Sequence, residues 1–165
     1  MIILFDLDQT LVDSRIVLPY RASRQWRRVF ELVPSVAAFV GISDMLTRLN
    51  EQGHQLGVVT SSPSRYCKGI LQRCDLTRFF AVTVCYHDTA RHKPHADPIL
   101  RALQLLGGTS TQAAIVGDDD GDLLAGKNAG VLTVYAAWGS VAQPAAQFDA
   151  VCNSPADVVR LFSSR

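Results

Sequence analysis

Two aspartates follow a short apolar run at the start of the chain. Residues 1–5 read MIILF, and Asp6 and Asp8 come directly after them, separated by one leucine. Such a run is typical of a buried strand, where a carboxylate is unfavourable unless a cation or a hydrogen-bond donor pairs with it. One carboxylate could act as a nucleophile, and the second could give a proton to a departing group. The competing interpretation is a polar turn that caps the strand.

Acidic residues cluster again farther along the chain. Seven of the 15 acidic residues fall into two turns: Asp6, Asp8, Asp13, Asp118, Asp119, Asp120 and Asp122. If the fold brings these turns together, the like charges require either raised pKa values or a bound cation. An oxygen-only ligand set favours Mg²⁺ over zinc or copper. The alternative for Asp118 and Asp122 is that they cap a helix.

Two further turns carry groups that could bind phosphate. Thr60 and Ser61 follow the apolar run QLGVV, and Lys93 precedes a predicted helix in RHKPHADP. Hydroxyl groups, backbone donors and an ammonium group together stabilise a transferring phosphoryl group. Taken singly, each of these residues is ordinary at a strand end or in a loop. Their shared position at strand ends predicts a phosphate-binding site.

The elements that must position these residues alternate between apolar runs and amphipathic segments. This alternation predicts an α/β fold with a central, mainly parallel sheet covered by helices. The predicted strands are Ile2 to Phe5, Gln55 to Val59, Ala81 to Cys85, Ala113 to Val116 and Leu132 to Tyr135. Predicted helices cover 42–49 and begin near Pro63, Asp97 and Pro155. Their inward residues include Tyr66, Ile70, Cys74, Leu100, Leu103 and Leu106. Ligands bind at the carboxyl ends of parallel strands, where the polar turns lie.

Residues 14–40 interrupt this alternation and form a predicted helical insertion after the first strand. Ala22, Trp26, Val29, Phe30 and Val33 recur at helical spacing, which predicts about one helix. The opposite side carries Arg21, Arg24, Arg27 and Arg28, with Arg15 just upstream. A solvated helix surface is the first interpretation of these arginines, and attraction of an anionic substrate is the second.

Length and composition predict one domain over residues 1–165 that includes this insertion. The chain is 48% hydrophobic with a formal charge of +1, which gives no global reason to expect nucleic acid, although local patches leave that partner open.

The cysteines, Cys67, Cys74, Cys85 and Cys152, contain no CxxC pair and are predicted to be buried, reduced thiols. His87, His92 and His95 lack the spacing of paired metal ligands. No apolar window approaches the roughly 20 residues that span a bilayer, so a cytoplasmic protein without a membrane partner is predicted.

Four segments together resemble the haloacid dehalogenase (HAD) superfamily. DLDQT followed by LVDS resembles its DxDxT motif, VVTSS its second motif, KP its third, and GDDDGDLLAGKNAG its fourth. Four motifs in order are far more specific than one. Their order and spacing resemble the phosphoglycolate-phosphatase-like subgroup over nearly the whole chain. The resemblance implies a Rossmann-like three-layer sandwich with a much reduced helical cap.

The resemblance also implies residue roles in a Mg²⁺-dependent phosphatase. Asp6 would be the nucleophile that forms an aspartyl-phosphate, and Asp8 the general acid and then the base. Thr60, Ser61 and Lys93 would bind the phosphoryl group. The implied Mg²⁺ ligands are Asp6, Asp118, Asp122 and the backbone carbonyl of Asp8. The presence of Asp8 speaks against true dehalogenation, because the dehalogenases of the family lack that acid.

The sequence departs from the family pattern at three positions and in the size of the cap. Gln9 stands where Gly is common, Asp119 where Ser or Thr is usual, and Gly126 where Ala is common. A reduced cap would leave the site open to a bulky phosphorylated partner, or to closure by another subunit. The predicted function is hydrolysis of a phosphate monoester. A phosphate-binding regulatory module with little turnover and a phosphatase for phosphorylated macromolecules are the alternatives.

Overall fold

A central sheet of six parallel strands forms the frame of the molecule in a computed structural model, which describes residues 1–140 and 142–163. The strands are β1 (Ile2–Phe5), β2 (Val12–Asp13), β3 (Ala37–Ala38), β4 (Gln55–Val59), β5 (Val82–Val84), β6 (Ala113–Gly117), β7 (Leu132–Ala136) and β8 (Ala150–Cys152). The α-helices are α1 (Leu18–Ala22), α2 (Trp26–Leu32), α3 (Ile42–Glu51), α4 (Ser64–Arg73), α5 (Asp97–Leu106), α6 (Asp120–Ala129) and α7 (Pro155–Phe162). Short 3-10 turns lie at Val33–Ser35, Thr77–Phe79, Tyr86–Asp88 and Ser110–Gln112.

Strand β1 lies in the middle of the sheet, and its carboxyl end lies beside those of its two neighbours. The strand order is β5-β4-β1-β6-β7-β8, and every neighbouring pair is parallel. Phe5, the last residue of β1, pairs with Val58 on one side and Val116 on the other. The carboxyl ends of β4, β1 and β6 therefore lie side by side, and the turns that follow them meet at one edge of the sheet.

The two faces of the sheet pack against different helices, which gives a three-layer α/β sandwich of Rossmann-like topology. Ile3 and Phe5 point into a core shared with the buried faces of α3, α4 and α7. Ile2 and Leu4 point into a second core shared with α5 and α6. The alternation follows from the period of two in a strand, and both faces of β1 are fully covered. The predicted fold class is confirmed.

The bounds of several strands and the buried face of helix α5 differ from the prediction. Strands β1 and β4 have the predicted bounds, whereas β5 is shorter, and β6 and β7 are each one residue longer. Helix α5 buries Ile99 and Leu103, but Leu100 is 47% exposed and Leu106 only partly buried. The inward face of α5 begins one residue earlier than predicted, because it packs on the sheet through positions 98, 99, 102 and 103. Strand β8 and helix α6 lie outside the predicted elements.

Residues 14–40 are not a single helix, which corrects the prediction. Strands β2 and β3 pair antiparallel, Val12 with Ala38 and Asp13 with Ala37, and bring the two ends of the insertion together. Between them, α1 and α2 are separated by a turn in which Arg24 has a φ of 56°. That left-handed residue breaks the helical periodicity. Val29 is fully buried, whereas Ala22 is exposed.

The cysteines agree with their prediction in part. All four are free thiols, and Cys67, Cys85 and Cys152 are buried, while Cys74 is half-buried.

Over the described part of the chain, the helices are all too short or too polar to cross a bilayer.

Candidate active site

A cavity of about 470 Å³ opens at the carboxyl edge of the sheet. Its lining includes six of the predicted site residues: Asp6, Asp8, Thr60, Ser61, Lys93 and Asp118. Asp122, the seventh, is buried beside them and contacts Lys93. These residues come from the turns after β1, β4 and β6, from the loop before α5, and from α6. Parallel pairing of the three strands is the reason that they meet.

Three carboxylates converge in this cavity. One oxygen each from Asp6, Asp118 and Asp122 lies within 4.8 Å of the others. The ammonium of Lys93 donates to Asp6 Oδ1 at 2.6 Å and to Asp122 Oδ1 at 2.5 Å, and also to the carbonyl of Val59 at 3.2 Å. One ammonium group cannot neutralise three carboxylates. The cluster therefore has ligand atoms and excess negative charge for a cation, and its oxygen-only donors suit Mg²⁺.

Burial and mutual repulsion act on the pKa values of the cluster. Burial raises the pKa of Asp6, although Lys93 opposes the shift. Burial and then the neighbouring charge of Asp6 raise the pKa of Asp118 to about 7. Burial also raises the pKa of Asp122 well above its usual value. For Lys93, burial disfavours the charged form, but Asp122 and Asp6 outweigh it and raise the pKa.

The two oxygens of Asp6 have different surroundings. Oδ1 accepts the Lys93 hydrogen bond, whereas Oδ2 accepts no hydrogen bond from any described residue. The backbone N–H of Asp6 donates to the carbonyl of Val116 at 3.0 Å, which extends the pairing of β1 and β6 by one residue. The carboxylate is thus fixed in place by backbone and ammonium while one oxygen stays available for reaction.

The carboxylate of Asp8 is held by three donors. Its Oδ2 accepts from the Ser62 hydroxyl at 2.7 Å and from the Arg21 guanidinium at 2.5 Å. Its Oδ1 accepts from the Tyr66 hydroxyl at 2.8 Å. A carboxylate oxygen has about two acceptor sites, so Oδ1 retains one. Burial and the Asp8 charge raise the pKa of Tyr66, which keeps this phenol a donor.

Three of these contacts involve residues without a predicted role in the site. Ser62 and Tyr66 carry a sequence signal, since Ser62 ends the TSS turn after β4 and Tyr66 lies four residues later, in the first turn of α4. Arg21 carries none, and it contradicts the solvated-surface interpretation because its side chain is only 19% exposed. Its guanidinium also lies over the Tyr66 ring, 5.1 Å from the centroid.

The loop after β1 is fixed by close contacts with the turns after β6 and β7. The Thr10 hydroxyl donates to Asp118 Oδ1 at 3.0 Å, and the Trp138 indole donates to the Thr10 carbonyl at 3.0 Å. Gln9 has a φ of 62°, a region that favours glycine. A Cβ added to Gly139 would lie 1.6 Å from the Gln9 carbonyl oxygen. Only glycine at position 139 allows the turn after β7 to come this close to Gln9. This close contact keeps Thr10 beside Asp118.

The other acidic residues of the two turns have structural partners. Asp119 caps α6, because its carboxylate accepts from the Asp122 N–H at 3.0 Å. Asp120 accepts from the Ala146 N–H at 2.8 Å, and Asp13 pairs with Arg15. Gln9 is buried, and its side chain contacts the Ser14 hydroxyl at 3.2 Å.

Thr60 and Ser61, in the turn after β4, both line the cavity but differ in exposure. Thr60 is buried, and its hydroxyl accepts from the Ser62 N–H at 3.1 Å. Ser61 is exposed at the cavity wall. The cavity thus combines two hydroxyl groups, an ammonium group and a carboxylate cluster, which can bind a phosphoryl group together with a divalent cation.

Comparison with known proteins agrees with this architecture. The chain is 34% identical over 103 residues to the pyrophosphatase PpaX of Bacillus cereus, covering 62% of this chain and 48% of the relative. It is 34% identical over 119 residues to the phosphoglycolate phosphatase of Aquifex aeolicus, covering 72% and 56%. The chain therefore spans about half the length of these relatives.

Solved structures share the fold at low sequence identity. CbbY of Rhodobacter sphaeroides, in complex with phosphate, matches with a TM-score of 0.81 at 19% identity, covering 95% of each chain. A haloacid dehalogenase-like hydrolase of Streptococcus pneumoniae matches with a TM-score of 0.84 at 22% identity, covering 98% of each chain. The sequence model of the haloacid dehalogenase-like hydrolases matches residues 17–136, more than two thirds of the chain. The protein belongs to the haloacid dehalogenase-like hydrolase family.

Proposed function

We propose that the protein is a Mg²⁺-dependent phosphatase that hydrolyses a phosphate monoester through an aspartyl-phosphate on Asp6. The observation that carries this proposal is the convergence of Asp6, Asp118 and Asp122 within 4.8 Å around Lys93. The family match begins at residue 17, after Asp6 and Asp8, so the support for these two residues is geometric. Mg²⁺, when bound by these carboxylates, would neutralise charge on the phosphoryl oxygens.

Each step of the proposed reaction uses a group of this chain. Asp6 Oδ2 attacks phosphorus and the bond from phosphorus to the leaving oxygen breaks, while Asp8, which enters the step protonated at the free site of Oδ1, gives that proton to the leaving oxygen. Lys93, Thr60 and Ser61 stabilise the transferring phosphoryl group electrostatically. Asp8 then takes a proton from water, which attacks phosphorus and releases Asp6. Ser62 and Tyr66 orient Asp8 for both proton transfers.

The names of the relatives support a small phosphorylated substrate. They include a pyrophosphatase and a phosphoglycolate phosphatase. A macromolecular substrate has less support, because Arg27 and Arg28 both pair with Glu31, and Arg21 pairs with Asp8. We regard residues 14–40 as a minimal cap at one side of the cavity. A cytoplasmic location and an oligomeric state remain predictions.

The test is hydrolysis of a panel of phosphate monoesters, including an aryl phosphate, with and without Mg²⁺. We expect Mg²⁺-dependent turnover that chelation abolishes. Asp6→Asn should lower kcat by at least about 1,000-fold, or about 4 kcal/mol, because an amide is a poor nucleophile. Its circular dichroism should match the wild type. Retained turnover in Asp6→Asn would reject Asp6 as the nucleophile.

A phosphate-binding module with little turnover is the second candidate. The observation that favours it is the engagement of Asp8 by three donors, two of them on one oxygen. Calorimetry with Mg²⁺ and orthovanadate distinguishes the two candidates. Tight binding without hydrolysis of any ester in the panel would select the binding module, whereas turnover would select the phosphatase.

A further inference from the structure

A second groove adjoins the phosphate cavity on the side of the insertion. It has a volume of about 780 Å³ and lies between α1, the turn before α2, and the turns after β4 and β5. Leu18, Arg21 and Ser61 line both cavities, so the two are continuous. Arg21 therefore lies at the junction, with Asp8 on its phosphate side. A leaving group attached to a phosphoryl group beside Asp6 would extend past Arg21 into this groove.

The lining of the groove is positively charged. Arg21 and Arg24 contribute to it, and no acidic residue does. The other arginines of the insertion contact carboxylates: Arg15 pairs with Asp13, Arg21 pairs with Asp8, and Arg27 and Arg28 share Glu31. Within the described ranges, the Arg24 guanidinium has no ion pair. Arg24 is thus an unpaired cation at the groove, and clustered guanidinium groups suit carboxylates and phosphates.

Aromatic side chains form part of the remaining wall, beside Pro63 and His87. Trp26 of α2 and Tyr86, which follows β5, both line the groove. Tyr86 is 42% exposed, and its ring stacks on His92 with 3.9 Å between centroids. This wall offers apolar contact area to the body of an organic group. Inorganic pyrophosphate lacks such a body and would leave this wall uncovered.

We propose that this groove is a leaving-group subsite for phosphate monoesters whose organic leaving group carries a second anionic group, which Arg24 binds. The inference rests on the proposed phosphatase function and specifies its substrate class. Arg24 acts here as a specificity-determining residue, because it lies beyond the groups that react. Trp26 and Tyr86 contact the body that links the phosphate to the second anion.

The test compares two esters that differ by one carboxylate, phenyl phosphate and 4-carboxyphenyl phosphate. Wild type, Arg24→Gln and the control Arg27→Gln are assayed with Mg²⁺. We expect Arg24→Gln to lower kcat/KM for the carboxylated ester about tenfold more than for phenyl phosphate, mainly through KM. Each ester is compared between wild type and variant, so the difference in intrinsic reactivity between the two esters does not affect the result. Arg27→Gln removes the same charge from α2 outside the groove, and should leave the ratio unchanged.

Each outcome decides between the two proposals. Hydrolysis with the same ester ratio in wild type and Arg24→Gln would overturn the subsite and leave the phosphatase intact. Absence of hydrolysis of both esters would count against the phosphatase. The subsite is then measured by calorimetry of both esters with Asp6→Asn, with and without Arg24→Gln. Preference for the carboxylated ester that Arg24→Gln abolishes supports the subsite, and equal affinities reject it.

Discussion

The hydroxyl of Tyr66 is the residue-scale feature that most constrains Asp8. Tyr66 is fully buried on α4, and its hydroxyl donates to Asp8 Oδ1 at 2.8 Å. Ser62 and Arg21 bind only the other oxygen. Tyr66 therefore determines the rotation of the carboxylate and the direction of its remaining acceptor site. We classify Tyr66 as a positioning residue, because it acts on the substrate through Asp8.

Tyr66→Phe tests this role. A hydrogen bond to a charged group contributes about 1.5–3 kcal/mol, and two donors to Asp8 remain, so we expect kcat to fall roughly tenfold. KM should change little, because Tyr66 does not touch the phosphoryl group. Tyr135→Phe, on β7, is the matched control and should keep kcat within about twofold. Equal kcat in Tyr66→Phe and wild type would show that Asp8 needs no help from this phenol.

The meeting of the strand-end residues in one site could be predicted from the sequence. The contribution of Arg21, in the insertion, could not. Asp6, Thr60 and Asp118 meet because parallel neighbours end at one level, and a strand pattern in the sequence is enough to predict this. Arg21 could not be placed, because a continuous helix puts it on the same face as Arg24 and Arg28. The left-handed turn at Arg24 removes that relation and lets α1 direct Arg21 toward Asp8.

At the scale of elements, helix α6 packs unusually close to the sheet. A Cβ on Gly126 would lie 2.4 Å from Ile115 Cγ2 on β6 and 2.7 Å from Thr133 Cγ2 on β7. The same helix carries Asp122 at its first turn. Close packing of α6 therefore helps to hold Asp122 against Lys93. Gly126 therefore allows the close approach of α6 to the sheet, which a larger residue would prevent.

Gly126→Ala should destabilise the protein. Overpacking of this kind costs about 1–3 kcal/mol, more than the gain in helix propensity. Gly69→Ala is the matched control within α4, since its Cβ would lie 3.9 Å from the nearest side-chain atom, in Val33. That variant should be neutral or more stable by about 0.5–1 kcal/mol. Chemical denaturation of both variants measures the difference, and equal stability would contradict the close packing.

Short elements limited the prediction of the fold. Strand β8 has three residues, and β2 and β3 have two each, too few for a period to be recognised. Helix α6 contains two glycines, Gly121 and Gly126, which lower its helix propensity. Strands β1 and β4 were placed correctly because each is a run of at least four residues that is apolar except for Gln55 at the start of β4. Tertiary packing, rather than local sequence, stabilises the elements that were missed.

At the scale of the whole molecule, the carboxylate cluster joins distant parts of the chain. Asp6 follows the central strand, whereas Asp118 and Asp122 belong to the turn and helix after β6. In the folded state these groups lie together, so their repulsion opposes folding until a cation neutralises it. A divalent ion that binds only the folded protein should then stabilise it globally.

Mg²⁺ should therefore raise the unfolding temperature. At a concentration 100 times its Kd, a ligand of the folded state adds about 2.7 kcal/mol to the free energy of unfolding. Asp118→Asn should lose most of this shift, because it removes a ligand charge. Asp44→Asn, at an exposed position of α3, should keep it. A thermal scan that shows no Mg²⁺ shift in the wild type would argue against the metal site.

The most direct test of the central claim is chemical trapping of a phosphoryl group on Asp6. Borohydride reduces an acyl phosphate to an alcohol, so quenching the enzyme during turnover of an aryl phosphate should convert Asp6 to homoserine, which peptide mass spectrometry locates. We predict conversion at Asp6 only with substrate and Mg²⁺, and none in Asp6→Asn. Turnover by the wild type without conversion at Asp6, or with conversion at another aspartate, would contradict the account.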